Sequence, residues 1–233
     1  MYVIEPSTIK MAHHNHKEVS SLRVGKDLVW EHPSLVIIKT VSGSNIQVPS
    51  WAVAVSIALI GGGGGGQTGS GAVNGSGRTG FAANWSVYYK NLERLPGQSF
   101  HIDTVVGRGG AGGANADYAA GSNGEVTTVK LWRTVGGSTT IAGSYNAAGG
   151  VGGSSSSSIP IGGTSPRPDP VTAPREVPVN PHTLPRGASA GKEKDGGSPG
   201  AGGGFGGGGL FGNRGTGGKG GNGMVRIYFY GAP

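Results

Sequence analysis

Three histidines near the amino terminus, His13, His14 and His16, have the spacing that best fits metal binding. A His-x-His pair on a strand points both imidazoles to one side, and three chains around an axis would combine their nitrogens. A single chain supplies fewer ligands than a metal site normally needs. We therefore expect residues 1–19 to form a solvated or docking arm and assign no metal ligand, with binding by an oligomer left open.

Catalytic motifs give no candidate active site. Gly61-x-Gly63-x-x-Gly66 follows a predicted strand as a dinucleotide fingerprint does, but more glycine stands where the fingerprint requires a helix. Glu93, Asp103 and Glu125 are too scattered to suggest a carboxylate pair. We expect no catalytic residue, no cofactor and no enzymatic activity.

Composition limits the class of protein. Glycine accounts for 50 of the 233 residues and cysteine for none, which excludes disulfides and thiolate chemistry. The net charge of +7 suggests anionic partners, but the basic residues are scattered, so we do not expect nucleic-acid binding. The amino terminus lacks a signal-peptide pattern, and we expect a virion component rather than a secreted protein.

The element around which the chain is organised is Trp51–Gly66, where an apolar strand runs into six consecutive glycines. Trp51, Val53, Val55, Ile57 and Leu59 alternate with small residues, so we predict a bulky core face and a small face that another backbone approaches. The glycines are either a flexible linker or one member of a bundle of polyproline-II-like helices. Such helices have three residues per turn, and they are stable only when neighbouring backbones satisfy their peptide groups. We find no strict G-X-Y period.

The rest of the chain repeats this alternation of strand and glycine tract, which predicts an all-β, β-sandwich-like framework carrying polyglycine II-like segments and long loops. Residues 1–33 would form an arm and docking hairpin, and residues 34–233 a glycine-rich β domain. Ile159–Arg186 is a proline-rich excursion that we expect to be exposed and extended. The predicted strands are Ser21–Glu31 (a hairpin), Leu35–Thr40, Ile46–Val48, Trp51–Ile60, Ala83–Leu92, Phe100–Val106, Glu125–Val135, Thr139–Tyr145 and Met224–Tyr230, with a turn at Ser42–Asn45.

Aromatic and basic side chains supply the candidate contact residues. Large aromatics on predicted strand faces are assigned to the core: Trp51, Trp85, Phe100, Trp132 and Phe229. Aromatics inside glycine tracts either stack on a ligand or plug the space between glycine helices. The receptor-contact candidates are Arg78, Tyr118, Arg167, Arg175, His182, Phe205 and Phe211, carried by distal segments Gly75–Gly80 and Ala114–Gly121 and by the excursion Thr164–Arg186.

From about Leu22 to Pro233 the chain resembles the glycine-rich minor tail proteins of phages that infect actinobacteria. The resemblance rests on WAVAVSIALIGGGGGG, LPGQSFHIDTVVGRGGAGG, GEVTTVKLW, AAGGVGG and GGGFGGGGLFGNRGTGGKGGNGMVRIYFY in that order. More distantly the chain is similar to the tail-fibre tip adhesins of T-even phages, which carry receptor-binding loops on polyglycine II layers. The proline-rich insertion departs from both.

The resemblance implies a virion protein at the tail tip or fibre that attaches to the host surface, with cell-envelope glycans as the expected receptor. Other tail proteins and sister chains, most simply in a trimer, would be its partners. The alternative is a purely structural tail-tip or baseplate protein that does not contact the receptor.

Overall fold

The computed structural model describes residues 13–14, 17–18, 21–24, 27–31, 34–72, 75–154, 174, 177–179 and 182–231. These residues form strands and no helix, which confirms the all-β prediction. Within these ranges there is accordingly no helix that could cross a membrane. The strands are β1 His13–His14, β2 Lys17–Glu18, β3 Ser21–Val24, β4 Asp27–Glu31, β5 Ser34–Lys39, β6 Gly43–Gln47, β7 Ala52–Ile60, β8 Trp85–Asn91, β9 Gln98–Val105, β10 Thr127–Val135, β11 Ser138–Ala147, β12 Val177–Val179, β13 His182–Leu184 and β14 Met224–Gly231.

Two four-stranded antiparallel sheets form the sandwich. The first has the order β5-β14-β7-β8 and the second β11-β10-β9-β6. Their inner faces share one apolar core, because alternate residues of each strand point inward, as the sequence pattern predicts. The core includes Val55, Ile57, Leu59, Phe100, Ile102, Val129, Leu131, Val225, Ile227 and Phe229.

The predicted hairpin at Ser21–Glu31 is confirmed as the antiparallel pair β3–β4. The predicted turn at Ser42–Asn45 is wrong, since Gly43–Gln47 pairs with β9 across a bulge in which Asn45 has φ +55°. β5 is an edge strand of the first sheet, and Val36 and Ile38 on its outer face are exposed.

Three of the five aromatics assigned to the core lie outside the core between the two sheets: Trp51, Trp85 and Trp132. The register between β7 and β14 shifts at Gly231, so Ala52 faces the core and Trp51 is 39% exposed. Trp132 lies half-buried on the outer face of its sheet, stacked on His101 and bonded through Nε1–H to Asp103 Oδ2 at 2.8 Å. An even alternation in the sequence therefore does not reveal which face is the inner one.

The last part of the proline-rich excursion is packed rather than exposed. Leu184 in β13 is fully buried against Ala58 and Tyr228 on the outer face of the first sheet. Trp85 packs beside them and donates a hydrogen bond from Nε1–H to the Pro185 carbonyl at 3.0 Å. The small face of β7 is thus covered by another chain segment, as its alanines predict.

The glycine tracts extend from the same end of both sheets. Ile60 pairs with Trp85 at that end, and Ala54 pairs with Asn91 toward the other. Ser34, where the chain enters the framework, pairs with Tyr230 near the far end. The entry and exit of the framework therefore lie opposite the side from which the glycine tracts extend.

Candidate functional site

The glycine tracts form a bundle in which residues 61–71 are the central segment. The bundle consists of this segment and six others around it: 75–83, 107–113, 119–126, 148–153, 200–209 and 213–223. We call these seven segments the glycine bundle. At about 3.1 Å per residue, the central segment spans roughly 30 Å away from the sandwich.

Hydrogen bonds of the central segment repeat every third residue, as three residues per turn require. Successive N–H groups donate to three different neighbours that run antiparallel to it, and successive carbonyls accept from three others that run parallel. The donor–acceptor pairs at its N–H groups are Gly62–Glu125, Gly65–Ser122 and Thr68–Ala119, then Gly63–Gly221, Gly66–Gly218 and Gly69–Gly215, then Gly64–Phe81, Gln67–Arg78 and Ser70–Gly75. The carbonyls of Gly62, Gly63 and Gly64 accept from Gly150, Gly110 and Gly203.

Six neighbours around one three-fold helix leave no room for side chains at Gly61–Gly66 of the central segment. A Cβ at Gly63, Gly64 or Gly65 would come closer than 3.0 Å to a backbone carbonyl, in each case of a different neighbour. The six consecutive glycines are therefore explained by packing on all sides. Of the two interpretations, the polyglycine II bundle is confirmed and the linker is wrong for the described tracts.

The surrounding segments have room on their outer side only. Runs of the form G-G-X place every third residue outward, and these residues are exposed: Arg108, Ala111 and Ala114, then Ala148, Val151 and Ser154, then Thr216, Lys219 and Asn222. No strict G-X-Y period runs over the whole chain. The short local period was the signal that could have predicted the outer segments.

Polar side chains complete the bundle where glycine ends. Gln67 is only 1% exposed, accepts the Arg78 N–H through Oε1 at 3.1 Å and donates from Nε2 to the Tyr118 carbonyl at 2.9 Å. Thr68, also buried, donates to the Ala116 carbonyl at 2.7 Å. These bonds replace backbone partners that the narrowing bundle no longer supplies.

Three loops meet at the end of the bundle farthest from the sandwich, and we call this region (residues 69–72, 114–118 and 209–214) the distal end. The N–H of Tyr118 donates to Gly69, and the N–H of Gly212 donates to Gly71. Asn115, Tyr118 and Phe211 all have positive φ (+66°, +53° and +56°), which is strained for side chains of this size. Such strain concentrates at functional sites, so this end is the candidate site.

Asp117 is the residue that holds the three loops together. Its Oδ1 accepts from the Gly71 N–H and from Arg214 Nη1, both at 3.0 Å, and its Oδ2 accepts from Ser70 Oγ at 2.8 Å and the Ala72 N–H at 3.3 Å. The Gly71 bond first, then the Ser70 bond and the others, lower the pKa of Asp117, against a smaller opposing effect of desolvation. Asp117 is therefore an ionised clamp whose acceptor positions are filled.

Phe211 is the most prominent side chain of the distal end. It is 98% exposed, and its neighbour Leu210 is 51% exposed. Both border a shallow pocket of about 430 Å³, which Gly71, Ala72, Asp117, Gly212 and Arg214 also line. The bundle thus ends in a protruding apolar turn beside a neutralised Asp117–Arg214 pair.

The structure brings only some of the predicted contact residues to this end. Phe211 lies at the apex, while the half-buried Tyr118 turns back so that its hydroxyl group fills the space beside Gly75. Arg78 is exposed on the flank, and Phe205 is half-buried there, its carbonyl bonded to the Glu193 N–H at 2.8 Å. Gly75–Gly80, predicted as a distal turn, is a bundle segment instead. Arg167 and Arg175 lie outside the described residues, and of His182 only its place in β13 is described.

Sequence reasoning missed Asp117, Arg214 and Leu210. Asp117 and Arg214 are 97 residues apart in the chain, and neither belongs to a recognisable motif. Of the early histidines, His13 and His14 form β1, and His16 lies outside the described residues. The expectation about metal binding stays untested.

The family model described as a glycine-rich domain matches residues 39–230, a range that contains the second sheet, the first sheet except residues 34–38 and Gly231, and the whole glycine bundle. A comparison with curated proteins found no significant match.

Proposed function

The chain belongs to this glycine-rich domain family, and on that premise we propose that it is a minor tail protein of a phage that infects actinobacteria. In this proposal the protein is part of the virion tail tip or fibre, and the distal end of the glycine bundle attaches to the host cell envelope. The resemblance described above supplies the phage and the host.

The observation that carries the proposal is that the two ends of the molecule differ. The chain enters the sandwich at Ser34 and leaves it at Gly231, both at the end remote from the bundle. A rigid bundle then holds an exposed Phe211 at the opposite end. This arrangement suits a protein that is anchored at one end and makes contact at the other.

The polyglycine II packing supports presentation of loops over flexible tethering. Each peptide group that bonds to a neighbour loses freedom, so the distal loops are held in place before any ligand arrives. Binding by each copy would be weak, and several copies in one tail tip, as homo-oligomers or side by side, would multiply it.

The structural alternative, a tail-tip or baseplate protein without receptor contact, has less support. Glycine tracts that serve assembly would leave their peptide groups for sister chains. Here the central segment finds neighbours on all six sides within one chain. We propose neither nucleic-acid binding nor enzymatic activity for the protein.

Adsorption of edited phage particles tests the proposal. Replacing Leu210 and Phe211 by serine should leave particles that assemble but adsorb poorly to the host. The matched control is Ile141→Ser, because Ile141 is exposed on the edge strand β11 of the sandwich. Normal adsorption of the Leu210/Phe211 variant would contradict the attachment role, and failure of particle assembly in that variant alone would favour the structural alternative.

A further inference from the structure

The Leu210–Phe211 turn protrudes from the distal end beside the Asp117–Arg214 pair. The side chain of Phe211 is almost fully exposed, and its backbone has φ +56°. Gly212, which follows it, has φ +83°. Both faces of the Phe211 ring are open. The strained backbone of this turn holds two apolar side chains in solvent. Exposed apolar side chains held in this way mark a site that binds an apolar surface or enters an apolar layer.

The polar residues nearby argue against a sugar as the ligand, although the family resemblance implies cell-envelope glycans as the receptor. A carbohydrate site needs several free donors and acceptors that converge on the ring hydroxyls. Both carboxylate oxygens of Asp117 already accept two hydrogen bonds each. Among the described residues that line the pocket, Arg214 is the one whose side chain keeps spare N–H groups, so these residues offer few donors to a sugar hydroxyl.

The charges along the bundle favour binding to an anionic surface. The glycine bundle, the distal end and the adjoining residues 185–197 together contain seven basic residues (Arg78, Arg108, Arg186, Lys192, Lys194, Arg214 and Lys219) and four acidic ones (Asp117, Glu125, Glu193 and Asp195).

All four acidic residues accept hydrogen bonds from backbone N–H groups of the bundle, those of Gly71, Arg108, Gly207 and Lys219. The carboxylates are thus committed to the bundle itself, while the exposed cations Arg78, Arg108, Lys194 and Lys219 project outward.

From these two features we infer that the distal end binds an anionic lipid layer, with Leu210 and Phe211 inserted among the acyl chains and with Arg214 and Arg78, the described basic residues nearest that end, facing the headgroups. The inference rests on the proposed attachment function and names the chemistry of its target. A short apolar insertion and a cationic surface are each weak anchors for a membrane and are effective together. The convex shape of the turn fits insertion into a layer.

Sedimentation with lipid vesicles tests the inference on the full-length protein. Wild-type protein should sediment with vesicles of phosphatidylcholine mixed with phosphatidylglycerol, and less with phosphatidylcholine alone. Phe211→Ser should lower vesicle affinity roughly tenfold to a hundredfold. The matched control is Phe81→Ser, since Phe81 is 40% exposed on the flank of the bundle and should bind as wild type. Because Phe211 has almost no contacts to lose, its substitution should leave the circular dichroism spectrum unchanged.

Equal binding by wild type and Phe211→Ser, or no binding of the wild type to either vesicle, would overturn the inference. Binding to whole host cells separates this from the proposed function. Cell binding that depends on Phe211 while vesicle binding is absent would keep the attachment role and reject lipid as its target. Loss of that cell binding after the cells are treated with protease would likewise reject lipid in favour of a protein receptor. Vesicle binding without any cell binding would reject the attachment role.

Discussion

Thr127 joins the sandwich to the glycine bundle, because its hydroxyl group donates a hydrogen bond to the carbonyl of Ile60 at 2.8 Å. The same oxygen accepts the N–H of Gly107 at 3.0 Å. Ile60 is the last residue of β7, and Gly107 opens the second glycine tract. One buried hydroxyl therefore fixes where the first and second tracts leave the two sheets.

Thr127→Val should lower the free energy of unfolding by about 1–3 kcal/mol, because it leaves a buried carbonyl and a buried N–H without their partner. Thr127→Ser keeps the hydroxyl and should lose much less. Urea unfolding of both variants measures the difference. Equal stability of the valine and serine variants would show that the hydroxyl does not matter.

Gly65→Ala should destabilise the protein by roughly 1–3 kcal/mol or more, because the added methyl group would overlap the Ala111 carbonyl. Gly191→Ala is the matched control, since nothing lies within 4 Å of a Cβ there and its φ is not positive. Urea unfolding should separate the two variants clearly. A Gly65 variant as stable as the Gly191 variant would contradict the close packing of the central segment.

Gln67→Leu should cost about 1–3 kcal/mol, because the Arg78 N–H and the Tyr118 carbonyl would be buried without these hydrogen bonds. Gln47→Leu removes an exposed glutamine from β6 and should change stability by no more than about 0.5 kcal/mol. Thermal or urea unfolding compares them. A small effect at Gln67 would mean that water replaces the amide at that end of the bundle.

The clamp at Asp117 should open in acid. Its folded-state pKa lies below the ordinary value, so its contribution is complete above about pH 4 and is lost as the pH falls through the lowered pKa. Protection of the Gly71 and Ala72 N–H groups from hydrogen exchange should fall over that range. Asp117→Asn should abolish this pH dependence, and a wild type whose protection does not change in acid would refute the role of the carboxylate.

The sequence predicted the fold class and the polyglycine II bundle because both follow from local rules. Alternating apolar residues give strands, and glycine runs that return to strands need neighbours for their peptide groups. The exposure of Trp51 was not predictable, because a shift in register at Gly231 depends on a partner strand far along the chain. Alternation identifies two faces and leaves open which one is inside.

The sequence singled out some of the side chains that lie at the candidate site. Phe211 stands among glycines, and an aromatic without bulky neighbours is conspicuous in a sequence. Tyr118 occupies the same kind of position but packs over Gly75, since the conformation of its loop turns the ring inward. The role of Asp117 could not be predicted, because three segments distant in sequence must end side by side in the folded bundle. Only then do its partners Ser70, Gly71, Ala72 and Arg214 come within hydrogen-bonding distance.

Hydrogen exchange of the central segment tests the account most directly, with peptides covering residues 61–71 followed by mass spectrometry in the isolated protein. The N–H groups from Gly62 to Ser70 donate to carbonyls of neighbouring segments, so they should exchange as slowly as those of the core strand β7. Exchange at the rate of a free chain, while β7 stays protected, would contradict the bundle and the rigid distal end that depends on it.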